Sequence, residues 1–358
     1  MVMTNSIITG TGCFIPDREV KNSDFIETSF YDEKGEKLTA PNEVIVSKFK
    51  DITGIGARRY ASKDMVTSDI ATLAAQRAID DSGIDPETLD YIILAHNFGD
   101  VKFGQVQADT VPSLATRVKH GLRIKSPDCV AYDILFGCPG WIQGMIQAHA
   151  FIKAGMAEKC LVIGAETLSR VVDPHDRDSM IYSDGAGACI VEKSEEDVPR
   201  GILATASVTH TYDEAYFLYF DKSFKPGKTP DVRYIKMYGR KIYEFALNHV
   251  PTAMKHCLEK SGVDIEEVKK ILIHQANEKM DAAIIKRFYR LYKTPNVPEG
   301  IMPMSIDRLG NSSVATVPTL LDLILKQKLE GHAIDKGDVL LMASVGAGMN
   351  INAMVYKR

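Results

Sequence analysis

A chain of 358 residues, 45% apolar and 25% charged, is long enough for two packed domains and a sizeable core. A formal charge of −4 offers no basic face for nucleic acid, and no apolar run approaches the ~20 residues that span a bilayer. The segment Met1 to Gly10 lacks the basic flank and long apolar stretch of a signal peptide, so a free cytoplasmic protein is expected.

Residues 1 to 20 read as a short strand, Ser6 to Thr9, followed by a turn through Pro16. Residues 27 to 45 are polar and turn-rich, as in a surface excursion. Thr67-Ser68-Asp69 caps a helix with apolar residues at Ile70, Leu73, Ala74, Ala78 and Ile79, which Gly83 closes. Asp85-Pro86-Glu87 starts a short helical turn, and Tyr91 to Ala95 reads as a buried strand.

The apolar stretch from Ile134 to Phe136 ends at Gly137-Cys138, and Pro139 falls where a helix would begin, with Ile142, Met145, Ile146 and Ile152 continuing at helical spacing. A cysteine at a helix mouth meets the positive end of the dipole and free N–H groups, which favour thiolate and make Cys138 a candidate nucleophile. The alternative for any single cysteine is a small buried hydrophobe. The six cysteines form no CxxC pair, and the nine histidines lack zinc-type spacing, so reduced thiols and no metal site are expected.

Further along, Asp173 to Asp178 is acidic but lacks the glycine and glutamate positions of a calcium loop, and reads as a solvated loop. The glycine-rich Asp184 to Ala188 precedes a strand rather than a helix, which fits a close backbone crossing better than a phosphate cradle. The aromatic segment Tyr212 to Phe224 is open to two readings, a pocket wall or a packed irregular loop. From Glu278 to Lys293, Lys279, Lys286, Arg287, Arg290 and Lys293 oppose an apolar face of Met280, Ile284, Ile285, Phe288 and Leu291. Such a face suits an acidic partner, or merely solvent.

The stretch Ser82 to Ala95 is matched position by position by Ser261 to His274, 179 residues later and half the chain away. A repeat of this length points to two similar α/β halves, residues 1–195 and 196–358, rather than a solenoid. It places Cys138 and Asn311 at helix starts and His274 at a strand end, so the three would meet at the junction of the halves. A nucleophile, a proton or hydrogen-bond partner and an amide donor together make a candidate catalytic set.

Phe136-Gly137-Cys138-Pro139-Gly140, Ile273-His274-Gln275-Ala276-Asn277 and Gly310-Asn311-Ser312-Ser313-Val314-Ala315 resemble the three active-site motifs of the β-ketoacyl-acyl-carrier-protein synthase III family. Thr53-Gly54-Ile55, Pro112-Ser113, Asp173 to Arg177, Ser183 to Ala188 and Gly346-Ala347-Gly348 extend the likeness over nearly the whole chain. The resemblance implies a thiolase-like, five-layered α-β-α-β-α fold, normally a homodimer. It also implies a decarboxylative Claisen condensation between an acyl-CoA and malonyl-acyl-carrier protein, with no cofactor. By similarity, Cys138 carries the acyl group, His274 and Asn311 stabilise the enolate, and the N–H groups of Cys138 and Ala347 form an oxyanion hole. Arg177 would meet the adenine of coenzyme A, Asn277 would support the site network, and Lys279 would contact substrate or carrier. A secondary-metabolite ketosynthase with another donor, a non-catalytic carrier-binding subunit and a Cys-His-Asn hydrolase are the competing readings. The protease signature Cys-Gly-Ser-Cys-Trp is absent.

The chain departs from the family pattern at Lys48 and Ile52, where tryptophan and arginine are common, and at Val345 and Ala347. The stretches Glu27 to Val46 and Asn97 to Thr110 also exceed the compact family form.

Overall fold

The computed structural model describes residues 3–227, 231–294 and 296–358. The first half runs through β1 (Met3–Phe14), β2 (Arg18–Lys21), α1 (Asn42–Thr53), β3 (Ala57–Tyr60), α2 (Thr67–Ser82), β4 (Tyr91–Ala95) and α3 (Leu114–Gly121). It continues with β5 (Val130–Ile134), α4 (Gly140–Lys153), β6 (Lys159–Thr167) and β7 (Asp184–Glu196). The second half comprises β8 (Gly201–Thr209), β9 (Leu218–Asp221), β10 (Tyr234–Met237), α5 (Gly239–Ser261), β11 (Val268–Ile273) and α6 (Glu278–Leu291). It closes with α7 (Ile306–Leu309), α8 (Thr316–Leu325), β12 (Val339–Gly346) and β13 (Asn350–Lys357). Among the described residues, no helix is long and apolar enough to cross a membrane.

Nine strands form one ladder in the order β11-β12-β13-β8-β1-β7-β6-β4-β5, whose two halves join through the pair Ser6–Gly201. Successive side chains on a strand face opposite sides, and both sides are apolar here. Ile92, Leu94, Leu161 and Ile163 pack against α2 and α3. Their neighbours Ile93, Ala95, Cys160 and Val162 turn inward, onto Trp141 and Met145 of α4 and Leu320 and Leu321 of α8. From the other half, Leu272, Leu340 and Met342 enter that same inner cluster, while Ile271, Ile273 and Leu341 face α5 and α6. The layers are therefore helix, sheet, helix, sheet, helix. α8 is buried on nearly every side, as a helix enclosed between two sheets must be.

The half-chain repeat is visible in three dimensions. α2 and α5 both end at a serine and are capped by a left-handed glycine, Gly83 (φ 69°) and Gly262 (φ 71°). A short 3-10 turn follows each, Pro86–Thr88 and Ile265–Glu267, and leads into β4 and β11.

Several sequence expectations need correction. The first strand extends from Met3 to Phe14, because its register with β7 continues past Thr9. The polar excursion of residues 27 to 45 is not all surface: Phe30 and Ile45 are buried, the latter on α1, which continues the buried face with Val46 and Phe49. The acidic loop Asp173 to Asp178 is not solvated either. Asp173 is fully buried and Asp176 nearly so, and both accept from the buried ammonium of Lys236, at 2.6 and 3.1 Å.

This lysine matters because β9 and β10 form a two-stranded ribbon outside the main sheet, and such ribbons are marginal alone. Lys236 on β10 fastens the ribbon to the acidic loop, its ammonium 3.3 Å from the centroid of the Phe224 ring, while the Ser223 hydroxyl and Phe224 N–H donate to Asp173. Burial alone would raise the Asp173 carboxyl, yet the Lys236 and backbone hydrogen bonds hold it below the usual range. Asp176 goes the other way: burial, with Asp178 nearby, pushes it up to about 6. Lys236→Met should lower stability at pH 7.5 by on the order of 3 kcal/mol, because it strands two buried carboxylates. The loss should shrink toward pH 5, where the variant's buried carboxyls, no longer held down by the ammonium, accept protons. Denaturant melts at the two pH values check this, and equal losses at both would contradict it.

Candidate active site

Cys138 lies between the end of β5 and the start of α4, with Pro139 as the N-cap and Gly140 the first helical residue. The helix thus begins one residue later than the sequence suggested. Gly137 turns the chain with φ 69°, and any Cβ there would lie 2.7 Å from the N atom of Ala347. A Cβ on Gly346 would collide with the N atom of Cys138. Two glycines therefore let the Cys138 and Ala347 backbones approach from opposite halves, which brings together the two N–H groups expected of an oxyanion hole.

His274 follows β11, and its N–H continues the parallel ladder to the carbonyl of Ala343 at 2.8 Å. The next residue, Gln275, is fully buried and spans Pro303 and Ser305 with its amide, fixing the strand exit. Asn311 does not begin a helix, contrary to the sequence reading. It sits in an isolated bridge with Tyr182, its backbone bonded to Ile181 and Ser183 of the first half, and α8 starts only at Thr316.

The Asn311 side-chain oxygen accepts from the Ser313 N–H at 2.8 Å, which leaves its amide hydrogens available to the cavity that it lines. Ser313 itself has φ 53°, a left-handed conformation uncommon outside glycine. Its hydroxyl donates to the Cys138 sulfur at 3.3 Å.

Cys138, His274 and Asn311 line one cavity of about 300 Å³, as do Val345, Ala347 and Ser313. Its far wall is the β9–β10 ribbon, through Leu218, Tyr219, Phe220, Ile235 and Met237. Of the aromatic segment 212 to 224, Tyr219 and Phe220 belong to this pocket wall, with Phe220 stacked on Phe98 at 5.2 Å between centroids, whereas Tyr212 and Tyr216 are exposed. A second cavity of about 550 Å³ shares Ile181, Met237, Ile242, Ala276 and Met280 with the first, and so adjoins it. It contains Lys48, Ile52, Arg177 and Asn277. Arg177 is largely exposed and pairs with Asp178 at 3.5 Å. Asn277 caps α6 by accepting from the Met280 N–H at 3.0 Å. Lys279 lines neither cavity, and lies on the exposed first turn of α6.

Electrostatics revise the expected state of the thiol. Burial pushes Cys138 up to about 11; the Ser313 hydrogen bond works against this, and nearby Glu166 adds to it. The helix mouth does not produce a resting thiolate in this dry setting. His274 is lowered to about 4 by the same burial, against a hydrogen bond to the Ser313 backbone, so a neutral ring rather than an imidazolium lines the cavity at pH 7. Among the described residues no group of acidic, histidine or cysteine side chains could hold a metal ion.

Two outcomes follow for alkylation of Cys138 by iodoacetamide. Its rate should climb with pH through 9 and beyond, since thiolate is the reacting form, and a plateau near pH 7 would contradict the raised thiol. Ser313→Ala should slow it roughly tenfold at pH 7.5, through loss of a donor to a charged acceptor; an unchanged rate would remove Ser313 from the site.

Sequence reasoning passed over Ser313, Asn97, Glu166 and Lys236. Ser313 stood inside a quoted motif without a role, and the other three carry no pattern that spacing could reveal.

Known proteins resemble this chain over nearly its whole length. The family model described as 3-oxoacyl-[acyl-carrier-protein (ACP)] synthase III matches residues 132–210, and the model of its C-terminal part matches residues 258–358. The β-ketoacyl-[acyl-carrier-protein] synthase III of Brucella anthropi is 31% identical over 99% of this chain and 100% of its own. The crystal structure of 3-oxoacyl-[acyl-carrier-protein] synthase III from Aquifex aeolicus VF5 superposes with a TM-score of 0.79 at 30% identity, covering 99% of this chain and 100% of that one. The corresponding enzyme from Thermus thermophilus gives 0.80 at 31%, over 98% and 99%.

Proposed function

Since the chain belongs to the β-ketoacyl-acyl-carrier-protein synthase III family, and is a condensing acyltransferase with that thiolase-like fold, we propose that its chemistry runs through Cys138, His274 and Asn311. The observation that carries this reading is the shared cavity: a cysteine, a neutral histidine and an asparagine with free amide hydrogens face one apolar space. The division into halves 1–195 and 196–358 belongs to the same reading, with the site at their junction.

In the first step the Cys138 sulfur attacks the carbonyl of an acyl-CoA. The C–S bond to coenzyme A breaks, the acyl group passes to Cys138, and the thiol proton leaves with the coenzyme A thiolate. One thioester replaces another, so the step needs little beyond a deprotonated sulfur and donors at the oxyanion, here the N–H groups of Cys138 and Ala347. Malonyl-acyl-carrier protein then loses carbon dioxide, which leaves the electron pair as an enolate. His274 and Asn311 donate to the enolate oxygen. The enolate carbon attacks the acyl-Cys138 carbonyl, and the sulfur departs with its electron pair to release 3-oxoacyl-carrier protein. A histidine held near 4 suits the part of donor better than that of base. No cofactor enters this sequence.

The outer cavity would receive the coenzyme A and pantetheine portions, with Arg177 and Asn277 at its wall. Lys279, Lys286, Arg287 and Arg290 are exposed on α6 and suit an acidic carrier protein. A homodimer in the cytoplasm completes the reading. Its support is an unpaired sheet edge at β5 together with exposed Val111, Val130 and Leu135.

Retention of all three residues favours this over a carrier-binding subunit without chemistry. His274→Ala and Asn311→Ala should each cut malonyl-carrier decarboxylation by on the order of 3 kcal/mol in barrier, while acyl transfer from acyl-CoA to Cys138 stays within about threefold. Release of carbon dioxide and acyl loading, measured separately on folded variants, check the split; equal losses in both steps would contradict it.

A further inference from the structure

We propose that Glu166 is a positioning residue for the Cys138 sulfur, acting through Asn97 and the Ser313 hydroxyl. The proposal rests on the reading of Cys138 as nucleophile.

Glu166 lies on β6, opposite Gly185 of β7, and is 1% exposed. Its Oε1 accepts from Asn97 Nδ2 at 2.6 Å, and the same Nδ2 reaches Ser313 Oγ at 3.2 Å. Ser313 Oγ in turn donates to Cys138 Sγ at 3.3 Å. An amide nitrogen carries two hydrogens, and these two contacts use both. A serine hydroxyl has only one hydrogen, so accepting from Asn97 leaves that hydrogen for the sulfur. If the Asn97 amide were reversed, its oxygen would face Ser313 and compete with the sulfur for that hydrogen. The Glu166 oxygen, by accepting one amide hydrogen, favours the orientation that turns the other toward Ser313.

The loop that carries Asn97 is pinned. His96 Nε2 bonds Asp133 at 3.0 Å and its Nδ1 accepts from the Gly99 N–H at 3.0 Å, while the Thr67 hydroxyl donates to the Gly99 carbonyl at 3.0 Å. Asn97 is thereby set between Glu166 and Ser313 rather than drifting in solvent.

The titratable groups acting on Glu166 and on its target are Asp184 on β7, whose charge Arg170 partly offsets, and Cys138 itself. Burial, opposed by the Asn97 hydrogen bonds and aided by Asp184, pushes the Glu166 carboxyl up to about 8. It is neutral at pH 7 and still accepts from Asn97. Above that range its charge disfavours the thiolate, so the relay works against Cys138 in alkali.

Iodoacetamide alkylation from pH 6.5 to 10, with the labelled cysteine mapped by peptide mass, tests this on wild type, Glu166→Gln and Asn97→Ala. Gln keeps the acceptor and cannot ionise, so Glu166→Gln should match wild type at pH 7 and exceed it roughly threefold or more at pH 9.5. Asn97→Ala should slow labelling roughly fivefold at pH 7 by freeing the Ser313 hydroxyl. A role confined to stability would shift melting without changing the pH profile. Superposed profiles for Glu166→Gln and wild type, or an unaltered rate for Asn97→Ala, would overturn the proposal. Label on another cysteine would instead remove the nucleophile reading beneath it, and the peptide map separates the two failures.

Discussion

The site depends on one strained residue. Ser313 holds a left-handed backbone that costs a non-glycine residue on the order of 1–3 kcal/mol, and surrounding packing must over-determine it. That packing is present: the turn it opens, Ser313–Ala315, lies so close to β6 that a Cβ on Gly164 would collide with the Val314 carbonyl. In this conformation one residue serves the whole trio. Its N–H orients the Asn311 amide, its hydroxyl reaches the Cys138 sulfur, and its backbone carbonyl accepts from the buried His274 ring. Relaxing the turn would disturb all three at once.

Burial then sets the protonation states. The same apolar cavity raises the Cys138 thiol to about 11 and lowers the His274 imidazole to about 4, so both rest uncharged. A neutral thiol is far less open to electrophiles than a resting thiolate would be. The cavity's far wall is fixed by a different charge. Lys236 ties the β9–β10 ribbon to Asp173 and Asp176, immediately before Arg177, so one buried ammonium braces both the ribbon wall of the inner cavity and the Arg177 side of the outer one.

Much of this was legible in the residues. The repeat between Ser82–Ala95 and Ser261–His274 made the correspondence of β4 with β11 legible, because glycine caps and apolar strands leave local signatures. The place of Cys138 between β5 and α4 was legible from glycine and proline punctuation. The Asn311 helix start failed, because a cross-half bridge with Tyr182 overrides the local pattern. The acidic loop was misread as solvated because its partner, Lys236, is 60 residues or more away in sequence and charge alone does not reveal a buried pair. Ser313, Asn97 and Glu166 come from three separate segments, and only the folded chain brings them into line. The resting state of the thiol was also beyond the sequence, since a helix mouth favours thiolate and enclosure opposes it, and only the degree of enclosure decides.

The most direct measurement is the intact mass of the protein after incubation with a panel of acyl-CoA esters, followed by peptide mapping. A single acyl adduct on Cys138, absent from Cys138→Ala, is the expected result. No adduct with any ester, or an adduct that persists in Cys138→Ala, would contradict the account.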